Sequence, residues 1–273
     1  MKRGSKIVKW GGKWIWQIVA LLLLACTFFP EFVQVAYTKL LFKWGAMGLR
    51  IITGWIPFSV GEYLYLILII LLIYNALLSL FKLKYQIKSP IFTSNTWYKV
   101  SKKGSIIFVI FELIWGLNYQ QITPAKEFNL EVPKTYTERQ MDSMSISLIN
   151  QLNITRSTIS DSQLKSVKVD NLIKQTLNHY RAISEQYPFL SYSYPNVKWA
   201  QLPKLGDYIG YLAFYQPITG EAIVRDDLPI LTLPFTISHE IAHQLGYASE
   251  TEANFIAYVL ASNSNDPLFE YAM

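Results

Sequence analysis

The sequence predicts a two-part chain: an α-helical membrane region with three spans, then a water-compatible α+β domain with a small sheet. Three observations carry this expectation. Residues 1–120 hold fourteen Lys/Arg against three Asp/Glu, a net +11, while residues 121–273 hold eleven against sixteen, a net −5. Three apolar stretches fall in the basic part, near residues 14–30, 62–81 and 104–120. The acidic part instead mixes helical periodicity with short branched and aromatic runs. Only 16% of residues are charged and 51% are hydrophobic, whereas soluble domains run near a quarter charged. That excludes a disordered tail and argues against a nucleic-acid partner, despite a pI near 9.1. A single cysteine, Cys26, excludes an intramolecular disulfide and a multi-cysteine zinc ribbon. Any metal must then be held by the three histidines and the carboxylates.

The first stretch follows a basic start (Lys2, Arg3, Lys6, Lys9, Lys13) and includes four consecutive leucines, Leu21 to Leu24. A cleaved signal peptide begins the same way, but Phe28-Phe29-Pro30-Glu31 is too bulky for a cleavage site, so a retained span is expected. The second stretch has no charge from Tyr63 to Phe81. The third contains Glu112. An acid within a span is either a functional group or a partner in a helix–helix hydrogen bond. Trp14, Trp16, Trp115 and Tyr119 stand near the ends of these stretches, as interfacial aromatics do.

Orientation follows from Lys and Arg. The N-terminal tail has five. The second connection has Lys82, Lys84, Lys88, Lys99, Lys102 and Lys103, and the first has only Lys39, Lys43 and Arg50. Three crossings with the N-terminus inside place residues 121–273 outside the cytoplasm. Residues 31–56 are half apolar, with Lys39, Lys43 and Arg50 on one broad face, and are expected to lie along the outer interface.

In the outer part, Thr123-Pro124 and Val132-Pro133 mark a linker. A helix is expected over residues 137–153, with Thr137, Glu138 and Gln140 at its start. A longer one is expected over 161–187, closed by Pro188. Residues 197–202, 208–215 and 220–225 read as strands.

The informative segment is His239-Glu240-Ile241-Ala242-His243. Histidines at i and i+4 share one helix face and can share one metal, and the intervening glutamate lies beside the metal as a base. Ile237, Ile241, Ala242 and Leu245 suit a buried helix. A catalytic zinc has three protein ligands and one open position. His179 lies far upstream, so the third ligand is sought downstream. Gly246 can end the helix in a left-handed cap. Ser249 can cap the next helix, with Glu252 completing a capping box. That leaves Glu250 as the ligand, with Glu252 as the alternative, and Asn254 one turn on to orient Glu250 or His239. The strand Glu221, Ala222, Ile223 and Val224 is expected to be an edge along which an extended substrate pairs. Glu221 is either a structural charge or a site for a substrate N-terminus. Tyr211, Tyr215 and Tyr247 are candidate oxyanion donors.

His239-Glu240-x-x-His243 followed by Glu250-x-x-Ala253-Asn254 resembles the gluzincin metallopeptidases, whose third ligand is a Glu in such a helix. More narrowly, the chain resembles the bacterial integral-membrane family known as domain of unknown function 3810. The matching stretches are Ile56-Pro57-Phe58-Ser59-Val60-Gly61-Glu62, Trp115-Gly116-Leu117-Asn118-Tyr119, Gly220-Glu221-Ala222, and Leu233-Pro234-Phe235 through Ala257-Tyr258. The resemblance implies a bacterial inner-membrane protein with a zincin-like outer domain. It departs from many soluble gluzincins in the short step from His243 to Glu250, and relatives are expected to continue beyond the last residues, 265–273. The expected function is a membrane-anchored zinc metallopeptidase acting on a peptide or protein. The alternative is a non-catalytic, zinc-stabilised membrane module with a scaffolding or assembly role.

Overall fold

The structure is a computed structural model describing residues 13–85 and 94–272. The basic residues Lys2, Arg3, Lys6, Lys9 and Lys88 lie outside the described residues. The chain is mostly helical, with one three-stranded sheet, and divides into two compact units. The first is Met1–Phe42 with Tyr63–Gln121, and the second is Lys43–Glu62 with Ile122–Met273.

In the first unit, α1 (Ile15–Cys26) packs along α5 (Ser94–Ile114). Between them come α2 (Pro30–Phe32), a π-helix (Val33–Phe42), α3 (Lys43–Gly54) and α4 (Val60–Tyr85), of which α3 and the first turn of α4 belong to the second unit. Trp14 meets Tyr98 edge-on at 5.1 Å, and the Tyr98 hydroxyl donates to the Lys13 carbonyl at 2.8 Å. A 3-10 turn, Gly116–Gln120, packs on the π-helix, where Thr38 Oγ1 donates to Asn118 Oδ1 at 3.2 Å. Glu112 is buried against Gly116, whose absent Cβ would lie 2.9 Å from the carboxylate.

Among the described residues one helix, Val60–Phe81, is by itself long and apolar enough to cross a membrane. The other two expected stretches fall short for separate reasons. α1 has 12 residues, about 18 Å at 1.5 Å per residue, against a hydrocarbon core of ~30 Å. α5 has 21 residues, but Lys99, Lys102 and Lys103 occupy its first half.

The second unit resumes at Ile122, beside the expected boundary at residue 120, and also takes in Lys43–Glu62. The reason is a set of polar bonds that only tertiary contact reveals. Arg50 donates to the carbonyls of Ser193, Tyr194 and Gln244 at 3.2, 3.2 and 3.1 Å. Thr53 Oγ1 donates to the Thr219 carbonyl at 2.8 Å. The Glu62 carboxylate accepts from the backbone N–H of Gln201 and Leu202 at 2.6 and 3.2 Å. Arg50 therefore faces protein, and does not join Lys39 and Lys43 on an outer polar face.

The remaining elements are α6 (Pro124–Glu127), α7 (Glu138–Thr158), α8 (Asp161–Ser166), α9 (Val169–Gln186), a 3-10 turn (Pro188–Leu190), β1 (Val197–Trp199), α10 (Leu205–Ile209), β2 (Ala213–Gln216), β3 (Glu221–Val224), α11 (Leu233–Gln244), α12 (Glu250–Ser262) and α13 (Pro267–Tyr271). Thr137 and Gln140 close a capping box at the start of α7. The helix expected over 161–187 is two helices, because Ser160 and Gln163 box a separate short α8 that stops at Val167. The strand expected over 208–215 begins only at Ala213, since α10 and a left-handed Gly210 at φ +79° precede it.

The sheet order is β1-β3-β2, with β1 parallel and β2 antiparallel to β3. β3 is therefore the central strand, and the expectation that Glu221, Ala222, Ile223 and Val224 form an open edge is wrong. All four are buried. Burial on both faces suits their near-continuous apolar run. Glu221 is a structural charge. Its carboxylate accepts from Lys198 Nζ at 2.6 Å and from the N–H groups of Val60 and Gly61 at 3.0 and 2.6 Å, at the start of α4. α11 packs on β2 and β3. Leu172, Tyr180 and Ile183 of α9, spaced along one helix face, close the core against Leu233, Ile237 and Ile241. The Tyr180 hydroxyl donates to the Ser238 carbonyl at 2.7 Å.

Candidate metal centre

α11 carries the histidine pair, and its neighbours determine which face holds it. Ile237 and Ile241 are fully buried in the core. The helix ends in a Schellman motif: Gly246 N–H donates to His243 O at 2.9 Å, and Tyr247 N–H to Ala242 O at 3.2 Å. Gly246 has φ +103°, open to glycine at little cost. This stop turns the chain back at once, so that the seven-residue step from His243 suffices to bring Glu250, the first residue of α12, to the histidines.

The ligand atoms of His239, His243 and Glu250 lie within 4.8 Å of one another, and the group can hold a metal ion. Glu250 Oε2 is 3.1 Å from His239 Nε2, and Oε1 is 3.6 Å from His243 Nε2. The other ring nitrogens are committed. His239 Nδ1 is 2.8 Å from Asn254 Oδ1, and His243 Nδ1 is 2.7 Å from the Tyr247 carbonyl. With Nδ1–H donating in each case, a neutral ring turns its Nε2 lone pair toward Glu250. Burial, then the neighbouring His239, lowers the His243 pKa and favours that neutral form. Two lone pairs and a carboxylate at this spacing are satisfied by a cation among them or by a proton on one Nε2, and the donor set fits a metal. The Glu250 side chain is 77% exposed, which leaves the group open to solvent.

Asn254 reaches the group through the His239 ring. Its replacement by Ala is expected to lower metal affinity by about 10–100-fold, because the ring loses its orienting acceptor. Isothermal titration with zinc checks this, and unchanged affinity would remove Asn254 from the site.

Glu240 lies on the same helix and is buried, and its Oε2 has no hydrogen-bond partner among the described residues. Burial, and secondarily the Glu250 charge, hold its carboxyl well above the usual range.

The structure separates the two downstream glutamates. Glu252 is absent from the convergent group. Burial and the charge of Glu127 raise its pKa to about 7. The expected capping box does not form, since the Ser249 side chain makes no cap bond. Ser249 occupies the cap position by backbone geometry alone. Glu127 itself accepts from the Tyr247 hydroxyl at 2.6 Å. It lies 120 residues upstream in a one-turn helix, and no local pattern marks it.

Of the tyrosines singled out, Tyr247 serves the site through its carbonyl, while its hydroxyl is spent on Glu127. The Tyr211 hydroxyl donates to the Leu202 carbonyl at 3.3 Å, and Tyr215 is buried. His179 stands apart, edge-on to Phe269 at 4.4 Å and 3.8 Å from Asp266.

No curated protein and no solved structure matches this chain. A family model described as "Protein of unknown function (DUF3810)" matches residues 37–273, which takes in both the long apolar helix and the whole histidine–glutamate group, and the chain belongs to that family.

Proposed function

We infer that the chain is a membrane-anchored, zinc-dependent peptidase of gluzincin type. The observation that carries this is Glu240, a buried carboxylate with an unpartnered oxygen beside three converging ligand groups. Burying such an oxygen is unfavourable, and a purely structural metal site has no use for it. A proton-handling role accounts for it.

His239, His243 and Glu250 would hold the zinc. When bound, zinc supplies Lewis acidity toward a substrate carbonyl and toward water. The chain's own groups do the rest. Asn254 Oδ1 and the Tyr247 carbonyl hold the two imidazoles in one tautomer and one orientation. A Glu240 carboxylate oxygen takes the proton of the attacking water and returns it to the leaving amine.

Glu250→Gln is expected to lower zinc affinity at least tenfold, since even losses one shell further out are that large. Glu252→Gln should leave zinc affinity nearly unchanged, because Glu252 lies outside the convergent group. Metal content after dialysis against graded chelator distinguishes them, and the reverse ranking would reassign the ligand.

The anchor in this reading has three spans in the bacterial inner membrane, with the N-terminus inside and the metal centre outside. Apolar residues exposed on α1 and α5, among them Leu21, Leu22, Ile107 and Ile110, support lipid contact for those helices as well as α4. Reporter fusions after Lys88 should report cytoplasm and fusions after Lys134 the outside. A cytoplasmic signal at Lys134 would remove one span.

A further inference from the structure

The second unit has an inverted surface. α3 turns Arg50 and Thr53 inward, and on its opposite side Trp44 and Ile52 are 58% and 62% exposed. Trp55, just past its end, is 78% exposed. A helix on a water-soluble domain has the opposite arrangement. A second apolar cluster surrounds α10, where Leu205 and Ile209 are exposed and Tyr208 is 86% exposed.

Both clusters are pinned to the first turn of α4. Glu62 holds the backbone N–H groups of Gln201 and Leu202, immediately before α10. Lys198 Nζ donates to the carbonyls of Thr53 and Phe58, both at 2.9 Å, in the turn that joins α3 to α4. The uncharged run of α4 begins at the next residue, Tyr63. The two clusters are therefore bonded to the residues that lead directly into that run along the chain. Tryptophan and tyrosine suit a lipid–water boundary, with an apolar ring and a polar edge. Exposed Lys43 flanks the first cluster and matches anionic headgroups, while Lys204 beside the second pairs with Asp227 at 3.3 Å.

We propose that Trp44, Ile52 and Trp55, together with Leu205, Tyr208 and Ile209, dock the second unit on the lipid–water interface of the bilayer, and that its substrates are polypeptide segments lying close to that surface. The second clause rests on the peptidase reading. Its geometric basis is Arg50, whose guanidinium reaches from the inner face of α3 to the Gln244 carbonyl, next to His243. One helix thickness, about 10–12 Å, then separates that end of α11 from lipid. An extended chain covers this in a few residues at ~3.3–3.6 Å each, so cleavage within about ten residues of a membrane span is expected.

The test uses the full chain with Cys26→Ser, in vesicles of phosphatidylcholine and phosphatidylglycerol. Single cysteines replace Trp55, Tyr208, Leu72 in α4, and Ile154 on α7, all exposed, and each carries an environment-sensitive fluorophore. Spin-labelled lipids with shallow or deep labels act as quenchers. The shallow label should quench positions 55 and 208 severalfold more than position 154, and the deep label should quench position 72. If 55 and 208 behave like 154 while 72 is quenched, the docking surface is wrong and the anchor stands. If 72 is not quenched either, anchor and docking fail together. Comparing new protein N-termini between cells with wild type and with Glu240→Gln tests the substrate class. Glu240-dependent cleavage confined to soluble outer proteins would overturn it while leaving the peptidase reading intact.

Discussion

Replacing Glu240 by Gln is expected to lower peptide hydrolysis by about 10²–10⁴, the usual worth of a general base, while zinc stays bound and the fold stays intact. Glutamine fills the same volume and keeps hydrogen-bonding capacity, but it cannot take a proton from water. The substitution also removes a buried carboxyl whose Oε2 is unpartnered among the described residues, so stability should hold or rise. Three measurements on purified protein are needed: metal content, thermal melting, and the new protein N-termini in a deletion strain complemented with either form. Identical cleavage products and full complementation by the variant would leave the histidine–glutamate group as a metal staple within a scaffold, and the peptidase reading would be wrong.

The second large effect concerns stability. Glu221→Ala should destabilise the second unit by about 3–5 kcal/mol, as breaking one side of a buried ion pair does. The Glu221 side chain is 0% exposed and that of Lys198 is 9% exposed. Removing the carboxylate strands the ammonium and takes the acceptor from two N–H groups at the start of α4. Denaturant or thermal melting in detergent checks this. If Glu221 instead bound the N-terminus of a substrate, the variant would melt like wild type and show only a raised KM.

Local patterns in the sequence were enough for the histidine helix. Its i, i+4 spacing, its apolar neighbours and its glycine stop all depend on residues a few positions apart, and the structure realises each within one helix and its cap. The nomination of Glu250 over Glu252 rested on a capping box that does not form. Helical phase would have sufficed: Asn254 follows Glu250 by four residues and meets His239, whereas Glu252 lies outside the convergent group.

What the sequence determined alone, then, is whatever periodicity and spacing encode: a long apolar helix near residues 62–81, uncharged from Tyr63, a mostly helical chain with a few short strands, and an H-E-x-x-H helix followed by an acidic one. What the tertiary structure decided is partnership. An apolar strand reads the same whether it lies at an edge or in the centre, and only the pairing of β3 with both β1 and β2 closed the expected substrate edge. Arg50 reads as an interfacial charge until carbonyls some 140 residues or more away give it buried partners, and nothing local marks Glu62 as the acceptor for N–H groups equally distant in sequence. The Tyr247 carbonyl that orients His243 carries no side-chain signal at all. Each of these depends on backbone groups, which every residue has and no sequence pattern distinguishes.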